Sequence, residues 1–318
     1  MPLYPKNIES VLVGIPRTKG SKIYIVDSVN GSDSNTGLNW EMPFLTLDYA
    51  YSKCTTGHND CIILIANGTA YTTTAALAWA KDRVHVVGLS PIGTAGPGLM
   101  EPQVRITCPA ALATTPFVTL GGSGCIFRNL QFWHNTTNAA GLVCVYVTGG
   151  YNHFENCQFA GGIGTNLITG AISLQIGGAV GGNAFKGCII GSDAVIYVDG
   201  MIGLKFLTAA QHNIFDDCIF LCNTAGTTYV HAKVTALGDV GPLNIFRRCL
   251  FLNYGAGAMA QAILTVTGMT PPKDLILTNC WLYGATVWQV TNFGLLTDVT
   301  IATQNTGVAT GNILKITS

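Results

Sequence analysis

The 318-residue chain carries 16 Lys plus Arg against 16 Asp plus Glu, so its net charge is zero and only 10% of it is charged. Phosphate neutralisation needs clustered Lys and Arg, which excludes a basic nucleic-acid binder, and 48% hydrophobic content excludes a disordered chain. No apolar run approaches the ~18 residues of a membrane-spanning helix, and a neutral chain with 38 Gly is of the kind that associates.

Residues 1–22 contain Pro2, Pro5 and Pro16 and little periodicity, and read as an arm that docks on another protein. Within it Val11-Leu12-Val13 is too short for the apolar core of a signal peptide. Residues 23–60 read as a strand, a Gly/Asp/Asn turn and a short capping helix. The helix is expected over 46–54, where Leu47, Ala50, Tyr51 and Cys54 share one face. Helical periodicity is otherwise nearly absent. Asp27, Asn30, Asp33 and Asn35 do not match the spacing of an EF-hand, so a hydrogen-bonded turn is expected there and no metal.

Residues 61–318 are organised by a repeat. Cys157, Cys188, Cys218, Cys249 and Cys280 lie 31, 30, 31 and 31 residues apart. Each follows a segment such as Asn213-Ile-Phe-Asp-Asp-Cys-Ile-Phe220, with an aromatic or aliphatic residue three before the Cys and another two after it. An earlier copy places Leu130 at the Cys position, and a later one places Val299 there after a step of 19. One strand at a fixed phase in every copy, without hairpin turns, predicts coils of ~31 residues stacked in parallel. Six steps of about 4.8 Å from Leu130 to Val299 make that stretch roughly 29 Å long. The fold class is all-β, a single-domain right-handed parallel β-helix.

Stacking turns each alignment column into a physical ladder. The Cys column is expected to be buried, reduced and free of metal. Asn152, Asn183, Asn213 and Asn244, five residues before each Cys, should bond from coil to coil. Two residues before the Cys stand Arg128, Glu155, Lys186, Asp216, Arg247 and Thr278, alternating in sign as a ladder of exposed ion pairs.

The run Ile25-Val-Asp-Ser-Val-Asn-Gly-Ser-Asp-Ser-Asn-Thr-Gly37, followed by Trp40, Pro43-Phe44, Thr46-Leu47 and Ala50, resembles the opening motif of pectate-lyase-like right-handed β-helix proteins. With the repeat, the resemblance spans roughly residues 23 to 316 and is greatest to phage spike and decoration proteins. It implies the fold, but not the activity, because the superfamily holds lyases, glycosidases, adhesins and phage proteins. Polygalacturonase-like members combine Asp-Asp with Gly-His-Gly and Arg-Ile-Lys. Here Asp216-Asp217 is present without either companion motif. Arg247-Arg248 should lie one coil above the pair and keep both carboxylates ionised. A glycosidase acid needs the opposite, a raised pKa. The six histidines, at 58, 85, 134, 153, 212 and 231, form no triad, and His153 and His212 are expected on turns. Trp133 and Trp281 are expected in core or subunit contacts, with sugar stacking as the alternative.

These readings predict no catalytic, cofactor or metal residues. They point to a structural virion protein of a bacteriophage, a trimeric capsid decoration or spike assembled in the host cytoplasm. Its partner, a capsid or other virion protein, would be held through residues 1–22 or an open end of the rod. The alternatives are a tailspike-type polysaccharide depolymerase or receptor-binding protein on a cell-surface glycan, with Asp216 and Asp217 the residues to test, and a secreted bacterial lyase or adhesin.

Overall fold

The computed structural model describes residues 12–89, 104–163, 168–178, 181–224, 226–266 and 275–289, with the backbone of Leu295–Thr297 and Leu314–Lys315. Among these the chain winds through three sheets in turn, each strand pairing in parallel with its equivalent one coil on. Sheet A has ten strands, from Ile23–Val26 to Leu295–Thr297, sheet B has nine and sheet C seven. The exception is Leu314–Lys315, antiparallel to Trp281–Tyr283. The result is the expected right-handed parallel β-helix. Nine steps of about 4.8 Å make sheet A roughly 43 Å long.

That is longer than the cysteines indicate. Their register continues below Phe127 through Val86, Ile62 and Tyr24, in steps of 41, 24 and 38 residues. Three rungs were therefore hidden from the repeat, because unequal steps show no period. At the other end the register also differs from expectation. Leu275 pairs with Leu295, a step of 20, whereas the alignment through Val299 required 19. A slip of one residue exchanges the two faces of a strand, so backbone pairing fixes this frame more strictly than a side-chain match can. Val299 itself lies outside the described residues.

The columns explain the fold's stability. Phe127, Phe154, Phe185, Phe215 and Phe246 stack with centroids 5.1, 4.6, 4.6 and 4.9 Å apart and planes within 9°. Each cysteine turns inward at the sheet A–B corner, its thiol directed at the Phe carbonyl of the preceding coil: Cys218 to Phe185 at 3.3 Å, Cys249 to Phe215 at 3.4 Å. The Asn ladder forms as predicted. Asn183 Nδ2 donates to Asn213 Oδ1 at 3.0 Å, and Asn213 Nδ2 donates to Asn244 Oδ1 at 2.9 Å, all fully buried.

All eleven cysteines are free and buried. Burial pushes the thiols of Cys54 and Cys61 up to about 12, and those of Cys188, Cys218 and Cys249 well above their usual range. Thiolate is the reactive form, so these groups are inert while the rod is folded. Alkylation of native protein followed by intact mass should show no modified thiol and no disulfide. After denaturation all eleven should react; a stable disulfide within the column would contradict the stacking.

The capping helix, α1 (Leu47–Lys53), starts where Thr46 accepts a hydrogen bond from the Tyr49 amide at 3.2 Å. It closes the first coil with Leu47 and Ala50 buried and Tyr51 stacked on Trp79 at 4.1 Å. Residues 12–22 do not behave as a free arm. Leu12 and Ile15 are buried against Cys61, Ile63 and Val87, and Arg128 donates to the Val13 carbonyl at 2.8 Å. This cover buries the outer face of Asp60–Ile65 and Val84–Leu89, every residue of which is buried. Residues 1–11 lie outside the described residues.

Candidate functional site

The most concentrated polar chemistry on the rod is the Asp216-Asp217 pair, and local backbone geometry builds it. In each regular coil the residue before the Cys position is left-handed: φ is 57° at Asn129, 50° at Asn156, 54° at Asp217 and 54° at Arg248. This single residue turns the chain from sheet A to sheet B. It throws Asp217 and Arg248 outward beside Asp216 and Arg247, which close sheet A strands in register with each other. Arg247 grips Asp216 bidentately at 3.0 and 2.7 Å. Arg248 grips Asp217 at 2.8 and 3.0 Å and reaches Asp216 at 2.6 Å.

The pair is thus clamped from the coil above, as the repeat predicts. Hydrogen bonds from Arg247, with the charge of Arg248, hold the Asp216 carboxyl below the usual carboxylate range. A general acid needs a proton at neutral pH, and this group has lost it. The rest of the column is less regular than its alternating signs suggest. Arg128 meets Glu155 at 2.8 Å, but Lys186 makes no ion pair among the described residues.

The histidines offer no alternative centre. His85, His134 and His231 are fully buried, and burial lowers them to about 4, about 4 and about 3. His85 Nδ1 accepts from the Ile126 amide at 3.1 Å, so its Nε2 donates to Asn59 Oδ1 at 3.2 Å. Among the described residues neither ring nitrogen of His134 or His231 has a partner. His212 lies on a left-handed turn as expected, whereas His153 sits within a strand of sheet A. Trp133 is half-buried beneath the Arg105 guanidinium at 4.0 Å, and Trp281 is half-buried too.

No group of three or more His, Cys, Asp or Glu could hold a metal among the described residues. Asp27 and Asp33 are spent on the turn. Asp27 accepts from the Val29 and Asn30 amides at 2.9 and 3.0 Å, and Asp33 from Leu45 and Thr46 at 3.0 Å each. A cavity of about 210 Å³ beside α1 is lined by Ser28, Thr46, Asp48, Thr69 and Thr73 and brings no acid pair together. Two features escaped the sequence analysis. One is the burial of three histidines, and the other is a pair of lysines, Lys205 and Lys233, on neighbouring rungs of sheet C without ion-pair partners among the described residues.

No protein-family model matches the sequence, and the search of curated proteins found no match. Solved structures do resemble it. The pectate lyase Pel9A superposes with a TM-score of 0.57 at 16% identity, covering 93% of this chain and 80% of that one. A rhamnogalacturonan lyase gives 0.45 at 15% identity, covering 90% and 86%. The pectin methylesterase of Yersinia enterocolitica gives 0.46 at 12%, covering 78% and 81%. At such identities the likeness to Pel9A establishes the fold, a pectate-lyase-like parallel β-helix, and nothing about chemistry.

Proposed function

We propose that this chain is a structural protein of a bacteriophage particle, a β-helical decoration or spike that assembles as a homotrimer and cleaves no glycan. The observation that carries this reading is the clamp on Asp216 and Asp217: the one acid pair that the resemblance singles out is occupied by Arg247 and Arg248. Eleven buried free thiols suit assembly in a reducing cytoplasm. Residues 1–22, of which Leu12 and Ile15 already pack on the rod, and the far end of the rod are the proposed contacts with another virion protein.

A glycan-active tailspike is the second reading, favoured by the fold's likeness to a pectate lyase. One assay separates them. Wild-type protein and Asp216→Asn are incubated with acidic and neutral polysaccharides and followed for reducing ends and unsaturated uronates. Neither protein should release product. The substitution should cost at most about 1 kcal/mol of stability, since both arginines are nearly half exposed. Cleavage by the wild type that Asp216→Asn abolishes would establish the enzyme instead.

A further inference from the structure

On the regular coils, residues 125–289, the charged side chains divide cleanly. Sheet A and its corner use Arg128, Glu155, Lys186, Asp216, Asp217, Arg247 and Arg248. Asp239 is buried and accepts from the Thr235 hydroxyl at 2.7 Å and the Ala236 amide at 2.8 Å. Four charges remain among the described residues, and they are segregated by sign. Asp193 and Asp199 stand where sheet B turns into sheet C, whereas Lys205 and Lys233 stand toward the far end of sheet C strands, near the turn into sheet A. None of the four makes an ion pair.

Apart from Ile214 on sheet A, the exposed large apolar groups of these coils lie toward the same two edges. Ile196 and Tyr254, 57% and 47% exposed, lie with the two aspartates, and the Tyr254 hydroxyl donates to the Asp193 carbonyl at 3.1 Å. Leu237 and Leu243, 46% and 48% exposed, follow the lysine strand Val230–Val234, and Leu243 is left-handed at φ 58°. A bulky residue held there costs about 1–2 kcal/mol of backbone strain.

We infer that these two edges of sheet C are the two halves of one subunit interface, the Asp193–Asp199 edge of one copy packing on the Lys205–Lys233 edge of the next. The inference rests on the trimer proposed above. Charge complementarity selects a second copy as the occupant. Two carboxylates without a cation partner among the described residues, Asp199 accepting from the Thr228 amide at 2.8 Å, meet two ammonium groups without an anion partner there. Axial height supports it as well. Asp193, Asp199 and Lys205 belong to the same coil, and Lys233 lies one rung of about 4.8 Å away. Rotation about a closed cyclic axis keeps every copy at one height, so the two edges meet without a shift along the rod.

The test is a charge swap in the full chain, followed by light scattering and circular dichroism. Wild-type protein should scatter as about three times the 33.5 kDa chain. Lys205→Glu with Lys233→Glu, or Asp193→Lys with Asp199→Lys, should weaken association about 100-fold or more while leaving the β spectrum unchanged, because like charges then face each other. All four substitutions together should restore the trimer. A monomeric wild type would overturn the trimer and this interface with it. A trimer indifferent to both swaps would overturn the interface alone, and so would dissociation that the fourfold variant fails to reverse.

Discussion

Lowering the pH from 7.5 to 4.5 should cost the folded rod roughly 6–9 kcal/mol, from three buried histidines. His85, His134 and His231 are held neutral at about 4, about 4 and about 3, against 6.5 for a free imidazole. Below pH 6.5 the unfolded chain binds protons that the folded chain refuses, so stability is complete above that pH and falls steadily beneath it. Each histidine contributes roughly 2–3 kcal/mol of the loss at pH 4.5. Asp27 and Asp216, both lowered in the folded state, add their own loss only below about pH 4, where unfolded carboxylates protonate. The urea midpoint measured across this range gives the slope. His231→Phe should remove about a third of it, since a ring against Tyr229 and Phe251 is kept and the titration is lost. An equal midpoint at both ends of the range would mean that these imidazoles are not buried in solution.

Removing one amide from the Asn ladder should also destabilise the rod. Asn213 both accepts from Asn183 and donates to Asn244, and all three are sealed from water. Asn213→Ala leaves the Asn183 amide below without its acceptor and takes from Asn244 Oδ1 above its side-chain donor, leaving only the residue 213 backbone N–H on it, so a loss of about 2–4 kcal/mol is expected in chemical denaturation. Ile214→Ala, on the neighbouring 36% exposed side chain, should cost less than about 1 kcal/mol and serves as the control. Similar losses from the two substitutions would show that the ladder is not what ties the coils together.

How much of this was legible depended on whether stacking imposed identity on a column. From Phe127 to Leu277 it did, because a parallel stack places like on like and selects the same Phe, Cys and Asn at most turns. The Asp216–Arg247 clamp was legible for the same reason. The lower rungs at Tyr24, Ile62 and Val86 were not, since their coils differ in length and their outer face is covered by Leu12 and Ile15. His85 illustrates the cost. It occupies an outward column that would be exposed elsewhere, and only the overlying segment and Asn59 make it a buried group. His134 and His231 belong to no repeated column at all, so nothing local to them announced their burial.

Parallel pairing in register also decides how the molecule would bear load. Its backbone hydrogen bonds point along the rod, linking each coil only to the ones above and below. A pull along the axis therefore falls on one rung at a time, held in sheet A by pairings of only three or four residues, and should peel coils away in steps of about 30 residues. A sideways push is shared by all three sheets at once, and compression closes the ladders further. Such a rod is weak in tension and stiff under thrust, and single-molecule pulling from its two ends should record a sawtooth of small, evenly spaced releases over the regular coils.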